Sequence, residues 1–172
     1  LGASVLGVTT GSNNTILGYL ATPSSNTVSN EITLGNSSVT VIRAAVTSIT
    51  ALSDERDKKD IVPLSYGLDF INSLEPKEFV WDNRVEKRIE TTSTKGEDFK
   101  SITTETEVEF YSANKGKKDF GFIAQEVKLL DDDTLRLVYD SNPEKLEMSY
   151  GKLVPILVKA IQELKTQLDN IK

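Results

Sequence analysis

The stretch Leu52–Ile61, LSDERDKKDI, marks an abrupt change in the character of the chain. Residues 1–52 contain only two charged side chains, whereas the rest of the chain contains the other 44 of 46. Ser53 lies at this boundary and is followed closely by Arg56 and Lys58. A serine in this position could cap a helix. It could also be a nucleophile with a base nearby.

The composition excludes several classes of function. The net charge of -6 argues against nucleic acid or an anionic membrane as the main partner. The chain has no cysteine and no histidine, so disulfides, Ser-His-Asp triads and most zinc sites are excluded. We therefore expect no metal and no cofactor. No apolar run reaches membrane-spanning length, and no secretory signal is present, so we expect no membrane insertion. Because there is no initiator methionine, we expect a fragment of a longer chain.

Residues 1–52 have the composition of short strands joined by tight corners. Gly, Asn, Ser and Thr alternate with Val, Ile and Leu, and NTILG (14–18) is echoed by NEITLG (30–35). The glycines of the two copies are 17 residues apart. The strip has too few large apolar residues for its own core, whereas three copies wound together would have one. We predict the C-terminal end of an intertwined trimeric β-stalk; a disordered Ser/Thr linker is the alternative.

Residues 53–172 predict a mixed domain, so the fold class expected for the chain is α+β. A short amphipathic helix carries Leu64, Leu68, Ile71 and Leu74, and a strand then ends near Trp81. The polar, threonine-rich stretch 84–118 predicts a projecting arm with a hairpin turn near Gly96, or else a flexible surface loop. GFIAQEVKLL should pack in the core, and two further strands flank a turn at residues 141–143.

The last 21 residues, KLVPILVKAIQELKTQLDNIK, predict a helix that begins between Ser149 and Pro155. Its apolar residues alternate spacings of three and four, as in a coiled-coil seam: Val154, Leu157, Ile161, Leu164, Leu168 and Ile171. The apolar stripe is narrow beyond Glu163, which favours a partner helix from another copy. The alternative is an ordinary amphipathic helix packed on its own domain.

Three separated motifs occur in order: SDERDKKDI at Ser53, GFIAQEV at Gly121 and MSYGKLVPILVKAIQEL at Met148. With the aromatic pair of FVW (79–81), they resemble the C-terminal intramolecular chaperone auto-processing domain of phage tail spikes and tail fibres, the endosialidase-type chaperone. The resemblance covers residues 53–172. It implies two domains: a fibre stalk (1–52) and a chaperone (53–172) that folds it.

The resemblance implies a function. Such domains trimerise, guide the β-fibre into register and then cut themselves off with a Ser-Lys dyad, which corresponds here to Ser53 and Lys58. The expected enzyme is thus a single-turnover, self-cleaving serine peptidase. Its partners are two further copies, its own stalk as folding client and, through the mature fibre, a host cell-surface receptor. Folding and cleavage are expected in the host cytoplasm, and the product in the virion tail fibre.

The chemistry of the dyad sets its own requirements. With no histidine available, a neutral lysine must take the serine proton, but lysine is normally protonated at pH 7 with a pKa of about 10.4. Burial, or a nearby cation such as Arg56 or Lys59, would lower that pKa. Five residues along an α-helix rotate a side chain by roughly 140°, so Ser53 must precede any helix and Lys58 must fold back. A lysine from a neighbouring chain is the other option.

The sequence does not determine which peptide bond is cut. Attack on the preceding carbonyl would cleave between Leu52 and Ser53, whereas a cut between Ser53 and Asp54 would use a serine from another chain. The family pattern most often has leucine where this chain has Asp57. A carboxylate there would weaken the base, unless it points at a cation other than Lys58.

Gln125 and Glu126 could orient the lysine or bond across the trimer; they could equally be polar residues of a core helix. Two alternatives to the cleaving chaperone also remain. The first is a non-cleaving trimerisation cap, in which Ser53 only caps a helix. The second is a receptor-binding fibre tip, which the aromatic content of 7% disfavours because sugars stack on aromatic rings.

Overall fold

The computed structural model describes residues 10–46, 48–82, 84–95, 101–110, 112–132 and 134–171. Within these ranges the side chains of residues 86–105, 108 and 110 are not described. The chain is mixed α and β, as predicted: β1 (Thr15–Leu17), β2 (Ile32–Leu34), a 3-10 turn (Glu55–Asp57), α1 (Leu68–Ser73), β3 (Lys77–Val80), β4 (Glu86–Lys95), β5 (Ser101–Phe110), β6 (Lys118–Gly121), α2 (Ala124–Lys128), β7 (Val138–Tyr139), β8 (Glu147–Met148), a second 3-10 turn (Tyr150–Lys152) and α3 (Leu153–Asp169). None of the helices in the described ranges is long and apolar enough to cross a membrane.

The 17-residue repeat is a structural repeat. Strands β1 and β2 pair in parallel with Thr15 opposite Ile32, so that equivalent residues of the two sequence copies stack on each other. Gly18 and Gly35 both have positive φ, at 123° and 76°, which glycine adopts without a Cβ penalty. The return between the strands buries three apolar side chains: Leu20, Ala21 and Val28. Repeated corners therefore stack as one coil within a single chain, whereas the trimeric winding stays a prediction.

Every described residue from 38 to 65 is exposed. Apart from the single 3-10 turn, this stretch has no regular secondary structure. Its large apolar side chains lie in solvent, with Ile49 100% and Leu52 99% exposed. Apolar surface of this extent on an extended segment calls for a covering partner.

The hydrophobic core forms where α1, α2, β7 and α3 meet. Its buried side chains are Phe70, Leu74, Val127, Leu137, Leu153 and Ile156. Two antiparallel pairs, β3 with β6 and β7 with β8, flank this core. The polar stretch predicted as an arm forms two antiparallel ten-residue strands, β4 and β5, while its predicted turn near Gly96 lies outside the described residues. Helix α1 is shorter than predicted: it begins at Leu68, and Leu64 lies before it.

Helix α1 begins with a cap supplied by another helix. Its N-cap residue, Gly67, has no side chain to offer, and the Glu163 carboxylate of α3 accepts a hydrogen bond from the Leu68 N–H at 2.8 Å. This hydrogen bond, assisted by Lys159, holds the pKa of Glu163 below its usual value. A Cβ on Gly67 would lie 2.2 Å from the carboxylate. The absence of a side chain at position 67 thus permits the contact that joins α1 to α3.

Gly67→Ala should destabilise the domain by about 1 kcal/mol, because it displaces the Glu163 carboxylate and leaves the Leu68 N–H uncapped. Urea denaturation measures the loss. Gly151→Ala is the matched control, since a Cβ there meets no atom within 4 Å. Equal losses for the two variants would contradict the steric origin of the effect.

Candidate functional site

Ser53 and Lys58 are in direct contact. The Lys58 Nζ lies 2.7 Å from the Ser53 Oγ and 3.0 Å from the Ser53 carbonyl oxygen. Both residues are exposed in the single chain. The contact is made within one chain, so the geometry does not require a lysine from a neighbouring copy.

A single helical turn brings the two side chains together. The 3-10 turn spans only Glu55–Asp57, and Lys58 closes it in extended conformation, with φ -122° and ψ 150°. Ser53 precedes the turn, as the rotation argument required. The turn is capped by Asp54, whose carboxylate accepts the Arg56 N–H at 2.9 Å. The alternative in which Ser53 caps the helix is therefore wrong: the next residue takes that role and leaves the serine hydroxyl to Lys58.

Arg56 is paired and does not serve Lys58 as a neighbouring free cation. Its guanidinium forms a two-point ion pair with Asp54, with distances of 3.0 Å from Nε and 2.7 Å from Nη2. This pairing lowers the pKa of Asp54 and raises that of Arg56. Arg56 instead stiffens the turn that carries the dyad, because the ion pair spans the cap and the first helical residues.

The Asp57 side chain has fewer contacts than those of Asp54 and Asp60. Arg56 pairs with Asp54, and Lys59 lies 4.0 Å from the Asp60 carboxylate. Within the described part of the chain, the Asp57 side chain forms no ion pair and no hydrogen bond. Arg56 and Lys59 are the two cations that could have paired with the Asp57 carboxylate, and neither does so. This carboxylate therefore remains unpaired next to Lys58 in the sequence.

Gln125 and Glu126 lie on α2, which packs on the hydrophobic core through Val127. Glu126 faces a lysine other than Lys58: the Nζ of Lys77 lies 3.6 Å from its carboxylate. Gln125 is exposed. The structure thus places both residues on the helix of their own domain, and a role in supporting the dyad stays a prediction.

The second and third sequence motifs meet at Gly121 and Tyr150. The Tyr150 hydroxyl accepts a hydrogen bond from the Phe122 N–H at 3.1 Å, and the two rings pack with centroids 6.0 Å apart. A Cβ on Gly121 would lie 2.5 Å from the Tyr150 hydroxyl oxygen. Sequence reasoning grouped the motifs but did not find this contact. The only signal in the sequence was that one motif begins with a glycine, Gly121, and the other contains a tyrosine, Tyr150.

Helix α3 presents two different faces. One face packs into the core through Leu153, Ile156 and Ala160. The predicted seam is on the outside, and its exposed side chains are Val154, Leu157, Ile161, Leu164, Leu168 and Ile171. The domain therefore has its own packing face, and the seam is additional to it.

In the ranges that the structure describes, no three carboxylate side chains cluster in a way that could hold a metal ion. The two side chains in contact at the site are those of Ser53 and Lys58. A serine hydroxyl within hydrogen-bond reach of an amine has the arrangement of a nucleophile and its base. The same amine also reaches a backbone carbonyl oxygen beside the serine.

Comparison with known families identifies the segment that begins at Ser53. The model of the family described as chaperone of endosialidase matches residues 53–134. The match confirms the predicted resemblance over this interval, which holds the first two motifs. It supports a chaperone role, and the family is one of self-cleaving peptidases. No curated protein and no solved structure matches the chain.

Proposed function

We propose that this chain, whose residues 53–134 match the endosialidase chaperone family, assembles three copies of a phage tail fibre or tail spike and folds its stalk. It then releases itself by cutting its own backbone next to Ser53. The observation that carries the proposal is the 2.7 Å contact between the Ser53 Oγ and the Lys58 Nζ, placed at the first residue of the family match.

The cut is best described as attack on the Leu52 carbonyl carbon. The Ser53 hydroxyl gives its proton to neutral Lys58 while its oxygen bonds to that carbon through a five-membered ring. The bond from the carbon to the Ser53 nitrogen breaks, and Lys58 returns the proton to the amine. Water then hydrolyses the ester, leaving a Leu52 carboxylate and a free Ser53. The same attack on the carbonyl of Ser53 itself would need a strained four-membered ring, so a cut after Ser53 requires a second chain.

Assembly provides the trigger in this proposal. A lysine acts as a base only when neutral, and burial disfavours its charged form. All described residues from 38 to 65 are exposed in the single chain, including the dyad. Packing three copies around this segment would remove water from Lys58. Cleavage would then follow folding without a separate signal.

The exposed seam of α3 supports the trimer. Its exposed apolar side chains run from Val154 to Leu168, about four turns, beside the adjacent stripe that packs in the core. A helix that keeps a second apolar stripe in solvent is suited to a partner helix. The seam and the uncovered segment 38–65 give the copies two separate contacts.

The partners and location follow from this role. The client is the stalk at residues 1–52, and the mature fibre carries host attachment after release. A non-cleaving trimerisation cap is the second candidate, favoured by the unneutralised carboxylate of Asp57. The two candidates differ in a single observable, which is the mass of the mature chain.

The wild-type chain should split at Ser53, whereas Ser53→Ala and Lys58→Ala should stay whole. Intact-mass spectrometry after expression measures this, and the fragment masses identify the bond. Lys58→Arg should also stay whole, because a guanidinium keeps its proton. Lys59→Ala, which changes the adjacent exposed lysine, should cleave like wild type. Full-length wild type after long incubation would leave the trimerisation cap as the better account.

Asp57→Asn should increase the rate of self-cleavage a few-fold, because it removes a negative charge that favours the ammonium form of Lys58. The rate should also rise with pH in both proteins, since only the neutral amine accepts the serine proton. A time course of intact mass provides the rates. Asp60→Asn is the control, because Asp60 faces Lys59. An unchanged or lower rate for Asp57→Asn would contradict this electrostatic effect.

Replacing Leu164 and Leu168 together with lysine should break the trimer. Each buried leucine contributes about 1.5–3 kcal/mol, so association should weaken on the order of 100-fold or more. The fold of each domain should survive, since both side chains are largely exposed in the single chain. Sedimentation velocity measures the assembly. The control is Gln162→Lys with Gln167→Lys, which adds the same charge outside the seam; loss of the trimer in the control would reject the seam as the interface.

A further inference from the structure

The coil of β1 and β2 has a third sequence copy that the single chain leaves undocked. Seventeen residues beyond Ile32 and Thr33, the chain again reads Ile49 and Thr50. The side chains of this copy are exposed, with Ile49 at 100%. The offset is the one that separates β1 from β2. The third copy therefore has the length and the residues to add a strand.

The receiving edge of β2 can be read from its hydrogen bonds. The Thr15 N–H donates to the Glu31 carbonyl at 2.9 Å, and the Gly35 N–H donates to the Leu17 carbonyl at 2.7 Å. Glu31 and Gly35 thus face β1. In a parallel ladder the backbone groups of successive residues point to alternate sides, so those of Ile32 and Leu34 point to the opposite edge. An unpaired strand edge is a template for another strand.

A groove follows that side of the coil. Its volume is about 440 Å³, and it is lined by residues 30–34, by residues 22–24 of the return, and by Tyr139, Lys145 and Glu147. Side chains alternate between the faces of a strand, so a groove lined by five successive residues runs along its edge. A water molecule takes about 30 Å³ of liquid volume, which leaves room here for a short peptide segment. Ile32 and Leu34 are 73% and 52% exposed beside it.

Within one chain, the third sequence copy could reach the edge of β2 only through a second return like the one between β1 and β2, and the residues of that second return do not favour it. The return from β1 to β2 is held by buried Leu20, Ala21 and Val28. At the equivalent positions of the next return, 17 residues on, the chain has the small residues Ser37, Ser38 and Ala45. A second return of the same shape would lack the apolar interior that holds the first. The free segment is thus better placed to leave its own coil.

We propose that residues 48–52 of one copy dock as a parallel third strand on the free edge of β2 in a second copy of this chain. This inference rests on the assembly of copies in the proposed function and specifies how the copies interlock. The register continues the ladder: the Ile32 N–H donates to the Ser48 carbonyl, and the Leu52 N–H donates to the Leu34 carbonyl. Each copy both donates and receives a strand, and such head-to-tail contacts close into a ring.

The docked strand also positions the cleavage site. Leu52 occupies the place that Gly18 and Gly35 take in the earlier copies, where φ is positive. Positive φ is costly for a leucine, so a turn at this position is disfavoured relative to the two glycine corners, and the extended chain continues into Ser53. The backbone N–H of Leu52 is then the last rung of the ladder. The carbonyl that Ser53 attacks is held by the stalk, and its placement requires that the stalk be complete.

Disulfide trapping tests the strand exchange, because the chain has no native cysteine. In a Ser53→Ala background, which keeps the chain whole, Ile32→Cys is combined with Ile49→Cys. Neighbouring strands lie about 4.8 Å apart, within the range of a disulfide. After mild oxidation, a non-reducing denaturing gel should show covalent trimer. The control pair is Ile32→Cys with Thr50→Cys, in which a shift of one residue puts the thiols on opposite faces and should leave monomer.

The outcomes separate this inference from the proposed function. An internal disulfide in a monomeric chain overturns docking between copies, and free thiols overturn docking altogether. Equal crosslinking of both pairs overturns the register. Native mass spectrometry of the same samples reports assembly independently: a trimer without the crosslink leaves the proposed trimer standing and rejects the strand exchange. A monomer rejects the trimer itself.

Discussion

Apolar surface that a single chain cannot bury is the constraint on which the rest of this structure depends. It occurs in two places: on the extended segment from residue 38 to 65 and along the outer seam of α3. At about 25 cal/mol per Å², a few hundred square ångströms of such surface outweigh the typical contribution of a single hydrogen bond or exposed ion pair. The hydrophobic core is complete without either surface, since α3 packs through its other face. A single chain therefore forms the core by itself and leaves two apolar surfaces exposed, and the proposed assembly would cover these surfaces.

This division links packing to chemistry at Ser53. The local turn, capped by Asp54 and stiffened by Arg56, sets the distance between the hydroxyl and the Lys58 amine before any assembly. The single chain therefore already has the contact between the hydroxyl and the amine, but both side chains are still exposed to water. A lysine base needs the contact and the exclusion of water, because a solvated amine favours its protonated form. In the proposed function, this separation would make the state of the whole assembly, and not the local fold, the variable that controls the cut.

Sequence patterns predicted the features that local rules determine. The 17-residue spacing of glycines, the paired strands of the polar stretch and the start of α3 all follow from turn chemistry and periodicity, and the structure has each of them. The contacts that join distant elements were not predictable in this way. Glu163 caps α1 from 95 positions beyond Leu68, and Tyr150 contacts Gly121 from 29 positions away. No rule about neighbouring residues predicts either contact.

The site shows the same limit. Spacing alone placed Ser53 before a helix and folded Lys58 back, because an α-helical turn would have separated them. Spacing did not predict the partners of the neighbouring side chains, however. Arg56 was one of two cations that could have lowered the pKa of Lys58, and its guanidinium pairs with Asp54. Asp54 also caps the 3-10 turn, a role that the alternative interpretation gave to Ser53. Ion pairs between residues two apart depend on the conformation of the turn, which the sequence does not state.

In the proposed function, a cut beside the stalk would change the energetics of the fibre in a lasting way. Before the cut, the stalk and residues 53–172 would share one assembly, and dissociation of α3 or of the stalk would be reversible. After the cut, refolding of the stalk would need a chaperone that is no longer covalently attached. The fibre would then persist because its unfolding barrier is high, without requiring a favourable folding equilibrium. Slow cleavage would suit that order of events, because a cut made before the strands were in register would leave the stalk without the domain that aligns it.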